Sequence, residues 1–163
     1  MNSLDQAKSV TDSLSFSGKI LERGFWLYVW EISTRDDLLY YVGRTGDSSS
    51  SNAQSPFNRM SQHLGFNERS NVLRRRLRGL GVDPEMCAFR LVAYGPVLKE
   101  AACLEDHRGP RDITAAFEKP LAAALTDAGY NVINKVHCRI APEDALFADV
   151  RAAFTPEFPR LVD

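Results

Sequence analysis

The sequence predicts an α/β domain: a small three-stranded antiparallel sheet flanked by helices, with an extra helix near the C-terminus. Three observations carry that prediction. Two aromatic and β-branched runs, "GFWLYVWEI" from Gly24 and "LLYYVGRT" from Leu38, flank the polar turn "STRDD" and read as a β-hairpin. A third alternating run, "MCAFRLVAYG" from Met86, supplies one more strand. The remaining patterned stretches carry helical spacing or helical end signals, and helices laid on a sheet bury its apolar faces economically.

The elements follow in order. Residues 1–20 are Ser-rich and weakly patterned, as expected of a flexible tail or a loosely docked helix. The hairpin spans residues 25–45, and "GDSSSSNAQS" after it is a loop of small polar residues. "SPFNRMSQHLG" then has full helix punctuation: Ser55 can cap, Pro56 suits the first helical position, and Gly65 can stop the helix. Phe57, Met60 and Leu64 form its apolar stripe, so Arg59 and His63, four apart, are expected to point together away from the core.

In "SNVLRRRLRGLG", a second short helix, Val72, Leu73, Leu77 and Leu80 are expected to face inward. Arg74, Arg75 and Arg78 are expected to face outward, with Arg76 at the edge of the stripe. After the third strand, residues 97–107 read as helix and "HRGPRD" as its break. "ITAAFEKPLAAALTDAG" resumes a helix that Pro120 should kink or restart and Gly129 should end. "YNVIN" is a short extended exit, "PEDALFADVRAAF" an amphipathic helix, and the last residues a tail. The implied organisation is a tail over 1–20, a domain over 21–136 and a helical extension over 137–163.

Composition narrows the function classes. Twenty Lys plus Arg against 21 Asp plus Glu leaves a net charge of -1, so any nucleic-acid footprint must be local. No apolar run approaches the roughly 18 residues of a membrane helix, so no membrane partner is expected. "MNSLDQAKSVTDSLSFSG" has neither a basic nor an apolar leader region, which points to the cytoplasm. The 3 cysteines, Cys87, Cys103 and Cys138, are widely spaced and read as buried reduced thiols. Cys103, His107, His137 and Cys138 are a poor zinc set, because adjacent His137 and Cys138 have poor ligand geometry and no C-x-x-C is present.

A set of polar residues stands out from this framework. Tyr28 in "WLYVW" and Tyr41 in "YYVG" can be aimed at one sheet face, with Gly43 and Arg44 just beyond. Arg59 and His63 lie on the next helix, and Glu118, Asn131 and Asn134 come much later. Singly, each has an ordinary reading: the tyrosines as packing, Gly43 as a strand end, the arginines, His63 and Glu118 as solvated surface, the asparagines as turn residues.

Together, and in this order, they resemble the GIY-YIG nuclease superfamily. "LYV" and "YVG" stand where that family has its two Tyr tripeptides. "RMSQH" matches its helix with Arg and His four apart, and "FEKPLAAALTDAGYNVIN" looks like its late helix with a metal-binding Glu followed by an Asn. The resemblance covers roughly residues 24–136. It implies an endonuclease that hydrolyses DNA phosphodiesters with one Mg²⁺ or Mn²⁺ held by Glu118, and Tyr28 as the group that activates water. Pro120 departs from the family's metal helix and leaves Glu105 as a rival ligand. Asn131 and Asn134 compete for the asparagine position, with Asn134 preferred.

The chemistry asks for these residue types. A phosphodiester resists attack because its oxygens are anionic and its alkoxide leaves poorly. Arg59 can clamp those oxygens with a rigid fork. An unperturbed tyrosine titrates near ~10, so Tyr28 needs a cation or proton acceptor beside it, and His63 or Arg44 can serve. Tyr41 would orient water or phosphate, Gly43 would admit close backbone approach, and Arg74, Arg75 and Arg78 would track phosphates. Selectivity would come from the 45–55 loop, the arginine-rich helix or the second subunit of a homodimer. Two other classes fit: a non-catalytic nucleic-acid-binding module and a protein-interaction domain using the C-terminal helix.

Overall fold

The computed structural model describes residues 9–47, 52–67 and 71–162. Residues 1–8 of the expected tail and part of the polar loop (48–51) lie outside them. The rest of the tail is described, and its Phe16 ring packs against Phe57 of the Pro56–Leu64 helix, with centroids 5.1 Å apart. Strands β1 (Phe25–Ser33), β2 (Leu38–Arg44) and β3 (Ala88–Leu98) form one antiparallel sheet in the order β2-β1-β3. Four helices accompany it: α1 (Pro56–Leu64), α2 (Val72–Gly79), α3 (Leu104–Asp127) and α4 (Asp144–Phe154). The predicted class and hairpin are both present. No described helix is long and apolar enough to cross a membrane.

β1 is central and buried on both faces, which is why its sequence is a nearly unbroken apolar run. On one face Tyr28, Trp30 and Ile32 join Leu39, Tyr41 and α2 residues Leu73 and Leu77, with Met60 and Leu64 of α1 at the margin. On the other, Leu27 and Val29 join Tyr40 and Val42 against Phe117, Leu121 and Leu125 of α3 and Val150 and Phe154 of α4.

The helices depart from expectation in ways that matter for the site. α1 has its predicted punctuation: the Ser55 hydroxyl accepts from the Asn58 amide at 3.2 Å and Gly65 caps the end. Its orientation is rotated from the expected one. Phe57 is 37% exposed while His63 is 3% exposed, so the polar stripe turns towards the sheet rather than away from it. In α2, Val72 and Leu80 are exposed and Arg74 is buried. The Arg74 guanidinium donates to the Leu64 carbonyl at the end of α1 and pairs with Glu85, so it fastens two segments and is not an outward phosphate contact.

The stretch after β3 differs most. β3 continues to Leu98 where a helix was expected, and α3 runs unbroken from Leu104 through "HRGPRD" and through both Pro110 and Pro120. A proline inside a helix costs about 3 kcal/mol. Burying Phe117, Leu121 and Leu125 completely offsets that, at about 1.5–3 kcal/mol for each such side chain. Nor are the cysteines buried: Cys103 is exposed, and Cys87 and Cys138 are half-exposed.

The end of the chain is core rather than tail. Phe158 and Leu161 are each 1% exposed, and Phe158 packs edge-on against Tyr40 and Tyr130. Phe158→Ala is therefore expected to lower stability by about 3–5 kcal/mol in urea unfolding; a tail residue would leave the midpoint unmoved.

Candidate active site

Strand register sets the first part of the site. Tyr28 pairs with Gly43 and Trp30 with Tyr41, so both tyrosines stand on the face that meets α1. The Tyr28 ring lies over Gly43: a Cβ there would come within 2.4 Å of the ring. Glycine is the side-chain-free position that lets the phenol cross β2.

α1 supplies the partners. The Tyr28 hydroxyl meets His63 Nε2 at 2.6 Å, and the imidazole lies edge-on to both phenols, with centroids 5.6 Å from Tyr28 and 5.2 Å from Tyr41. One turn earlier, Arg59 donates to Gln62 Oε1 at 2.8 Å and to Asp47 Oδ2 at 2.9 Å. From the other side of the sheet, Arg44 at the end of β2 donates through Nε to Glu118 Oε2 of α3 at 2.9 Å. Tyr41 feels both Glu118 and Arg59, and Glu118 feels both Asp47 and Arg59, so the two ion pairs belong to one electrostatic cluster.

Asp47 is the site residue that sequence reasoning missed. Its loop is held firmly. The Thr45 hydroxyl donates to the Gly24 carbonyl at 2.5 Å and accepts from the Trp26 amide at 2.8 Å. Gly46 has φ +77° with the Phe25 ring against it, and its carbonyl lies 3.1 Å from Nε2 of the buried His107. The signal was present as "TGD": a glycine at a strand end that forces a turn and aims the next side chain back.

The exit segment closes the outer edge of β2. The Tyr40 amide donates to the Asn131 carbonyl at 2.9 Å, and the Ile133 amide donates to the Tyr40 carbonyl at 2.8 Å. The Asn134 side chain then replaces a strand: its Oδ1 accepts from the Val42 amide at 2.9 Å and its Nδ2 donates to the Val42 carbonyl at 2.8 Å. The two candidate asparagines thus separate. Asn134 braces the strand that carries Tyr41 and Gly43, whereas Asn131 contributes main chain and is exposed. Arg76 donates to the Ile133 carbonyl at 2.9 Å. Arg75 and Arg78 are exposed on α2, and Glu105 is exposed in the first turn of α3.

Burial governs the titrations. It raises Tyr28 well above the ordinary phenol range, with Arg59 opposing. It raises Tyr41, helped by the Glu118 charge, and raises Glu118 against the opposing pull of Arg44. It pushes His63 down to about 4, and Arg59 adds to the effect. At neutral pH the imidazole is neutral, so Tyr28 donates and Nε2 accepts.

Among the described residues, Arg44 Nη1, Arg59 Nε and His63 Nδ1 are buried without a hydrogen-bond partner. A cluster with that surplus of nitrogens is short of acceptors, as a site for an anion would be. A hard divalent cation also fits its donors. Glu118 is a largely buried carboxylate whose charge burial disfavours and a cation would restore, and Mg²⁺ commonly takes one or two protein carboxylates beside water and phosphate oxygens. Among the described residues no group of three or more His, Cys, Asp and Glu gathers at metal-binding distance.

Comparison with known proteins adds nothing to this geometry: no family model, curated protein or solved structure matches the chain.

The depressed His63 makes a prediction about stability. Its folded pKa lies below the unfolded value, so between about 4 and 6.5 the unfolded chain binds the extra proton and stability rises with pH. The His63 contribution across that window is about 3 kcal/mol. Glu118, raised in the fold, acts with the opposite sign, its contribution being lost as pH rises through its folded value. Comparison with His63→Gln cancels Glu118: the variant's urea midpoint should be flatter over that range than that of the parent.

Proposed function

We propose that the protein is an endonuclease of the GIY-YIG type that hydrolyses phosphodiester bonds in DNA. The observation that carries this reading is the convergence of Tyr28, Tyr41, Arg59, His63 and Glu118 from β1, β2, α1 and α3 around nitrogens that lack acceptors.

The geometry supports the following roles, with water activation by Tyr28 taken from the GIY-YIG resemblance. Arg59, and Arg44 through its unpartnered Nη1, clamp the nonbridging phosphate oxygens. Tyr28 is held protonated, so it cannot act as a free phenolate. It takes a proton from the attacking water only as its own proton passes to His63 Nε2, 2.6 Å away. Burial and the Arg59 charge both depress His63 while Asp47 raises it, so a phosphate that displaces Asp47 from Arg59 takes over the role of the negative charge that keeps the imidazole able to accept. Tyr41 packs against the imidazole and holds its ring plane. When bound at Glu118, Mg²⁺ or Mn²⁺ supplies charge neutralisation at the leaving oxygen. Tyr28 is 1% exposed, so substrate entry requires the Asp47–Arg59 pair to part.

One observation favours a second reading, a nucleic-acid-binding module without catalysis: the phenol is sealed and Asp47 already occupies Arg59. Plasmid nicking separates the two. An enzyme cuts with Mg²⁺ and not with EDTA, and Glu118→Gln should lose at least about 10²-fold in rate while the fold is retained. Full activity in that variant would sink the metal assignment, and a DNA shift without cutting would leave the binder. A protein-interaction domain would do neither.

The Asp47 carboxylate also makes a prediction. Because it competes with phosphate for Arg59, Asp47→Asn should tighten DNA binding in EDTA by about twofold to fivefold, the scale of one partly exposed ion pair. Fluorescence anisotropy reads that change directly.

A further inference from the structure

Beyond Asn134 the chain has a pattern that neither the fold nor the cluster uses. From 135 to 139 the residues alternate: Lys135, His137 and Arg139 are exposed, Val136 and Cys138 half-buried. Val136 packs on the core. An extended chain with that period has an inner and an outer side, and here the outer side holds the cations.

The strip is fixed at both ends. The paired hydrogen bonds of Asn134 to Val42 hold its start on β2, and Lys119 Nζ donates to the Cys138 carbonyl at 3.1 Å, tying its end to α3. Lys119, His137, Cys138 and Arg139 line a recess of about 440 Å³. No carboxylate pairs with Lys119, Lys135 or Arg139 among the described residues. The chain carries no acidic residue between Asp127 and Glu143. In a protein of net charge -1, this is a local concentration of uncompensated positive charge.

Its position is as informative as its charge. Lys119 follows Glu118 and Lys135 follows Asn134 in the chain, so two of the cations sit next in sequence to residues of the cluster and of its bracing edge. We infer that Lys119, Lys135 and Arg139 form a docking strip for the phosphate backbone of DNA flanking the cleaved bond. This rests on reading the adjacent cluster as a nuclease centre. The strip holds the backbone without reading bases, because its contacts are cationic side chains on the outside of the fold.

The test is binding of a short fluorescent DNA duplex in EDTA across a salt series. Each phosphate contact contributes about 0.9 to the slope of log affinity against log salt, so Lys119→Gln/Lys135→Gln/Arg139→Gln should flatten that slope by about 2.7. Lys135→Gln/Arg139→Gln, which spares the Lys119 hydrogen bond, should flatten it by about 1.8. Circular dichroism checks that both variants are folded. An unchanged slope in the double variant, or a parent protein that binds no duplex, overturns the strip. Nicking in Mg²⁺ is read separately: a flattened slope without cutting sinks only the nuclease reading, and cutting with an unchanged slope sinks only the strip.

Discussion

The cluster depends on one steric fact: the Tyr28 ring crosses β2 over a residue with no side chain. The β1–β2 register places Tyr28 opposite Gly43, and any Cβ there would collide with the ring. That crossing brings the phenol to His63 on α1 at hydrogen-bond distance. It also explains the rotation of α1. The helix turns His63 inward because a buried hydroxyl needs a partner, and an unpaired one costs about 1–3 kcal/mol. Exposing much of Phe57 instead costs less of the helix's burial, since Met60 and Leu64 still reach the sheet.

Glu118 reaches the cluster by an independent route. Its place follows from the continuity of α3 through Pro120, and that continuity follows from the apolar face made by Phe117, Leu121 and Leu125. The same packing recruits the end of the chain, where Phe154, Phe158 and Leu161 close the core beneath β2. Structure on one side of the sheet therefore holds a carboxylate in register with phenols on the other, and Arg44 at the end of β2 is the link between the sides.

What was legible in the sequence follows the physics of each signal. The hairpin was plain because β-branched and aromatic runs with a polar turn have few other uses. Helix α1 was plain because Ser55, Pro56 and Gly65 act locally. Its facing was misjudged because a helical wheel ranks residues by hydrophobicity, whereas His63 is buried by a specific hydrogen bond. The break expected at "HRGPRD" failed for a related reason: proline's penalty is local and visible, while the burial that outweighs it comes from residues distant in sequence. Arg74 looked like surface because Glu85 and the Leu64 carbonyl, its partners, are tertiary contacts. Asp47 escaped notice because its role depends on a turn fixed from three directions, of which only the glycine shows in the sequence.

Electrostatics joins these parts. The cluster gathers two arginines and an imidazole against two carboxylates, and still leaves buried nitrogens unpartnered. Burying charge is tolerable only with partners, so Asp47 and Glu118 act as resident counter-ions for Arg59 and Arg44. A phosphate would offer more acceptors than one carboxylate, in the geometry guanidinium groups favour. On this reading Asp47 on Arg59 is the resting state of an anion seat, and the cost of displacing it sets a threshold for weakly bound anions. On the same reading, a polyanion held at several points along the 135–139 strip would have the additional contacts to cross that threshold, and an isolated phosphate would lack them.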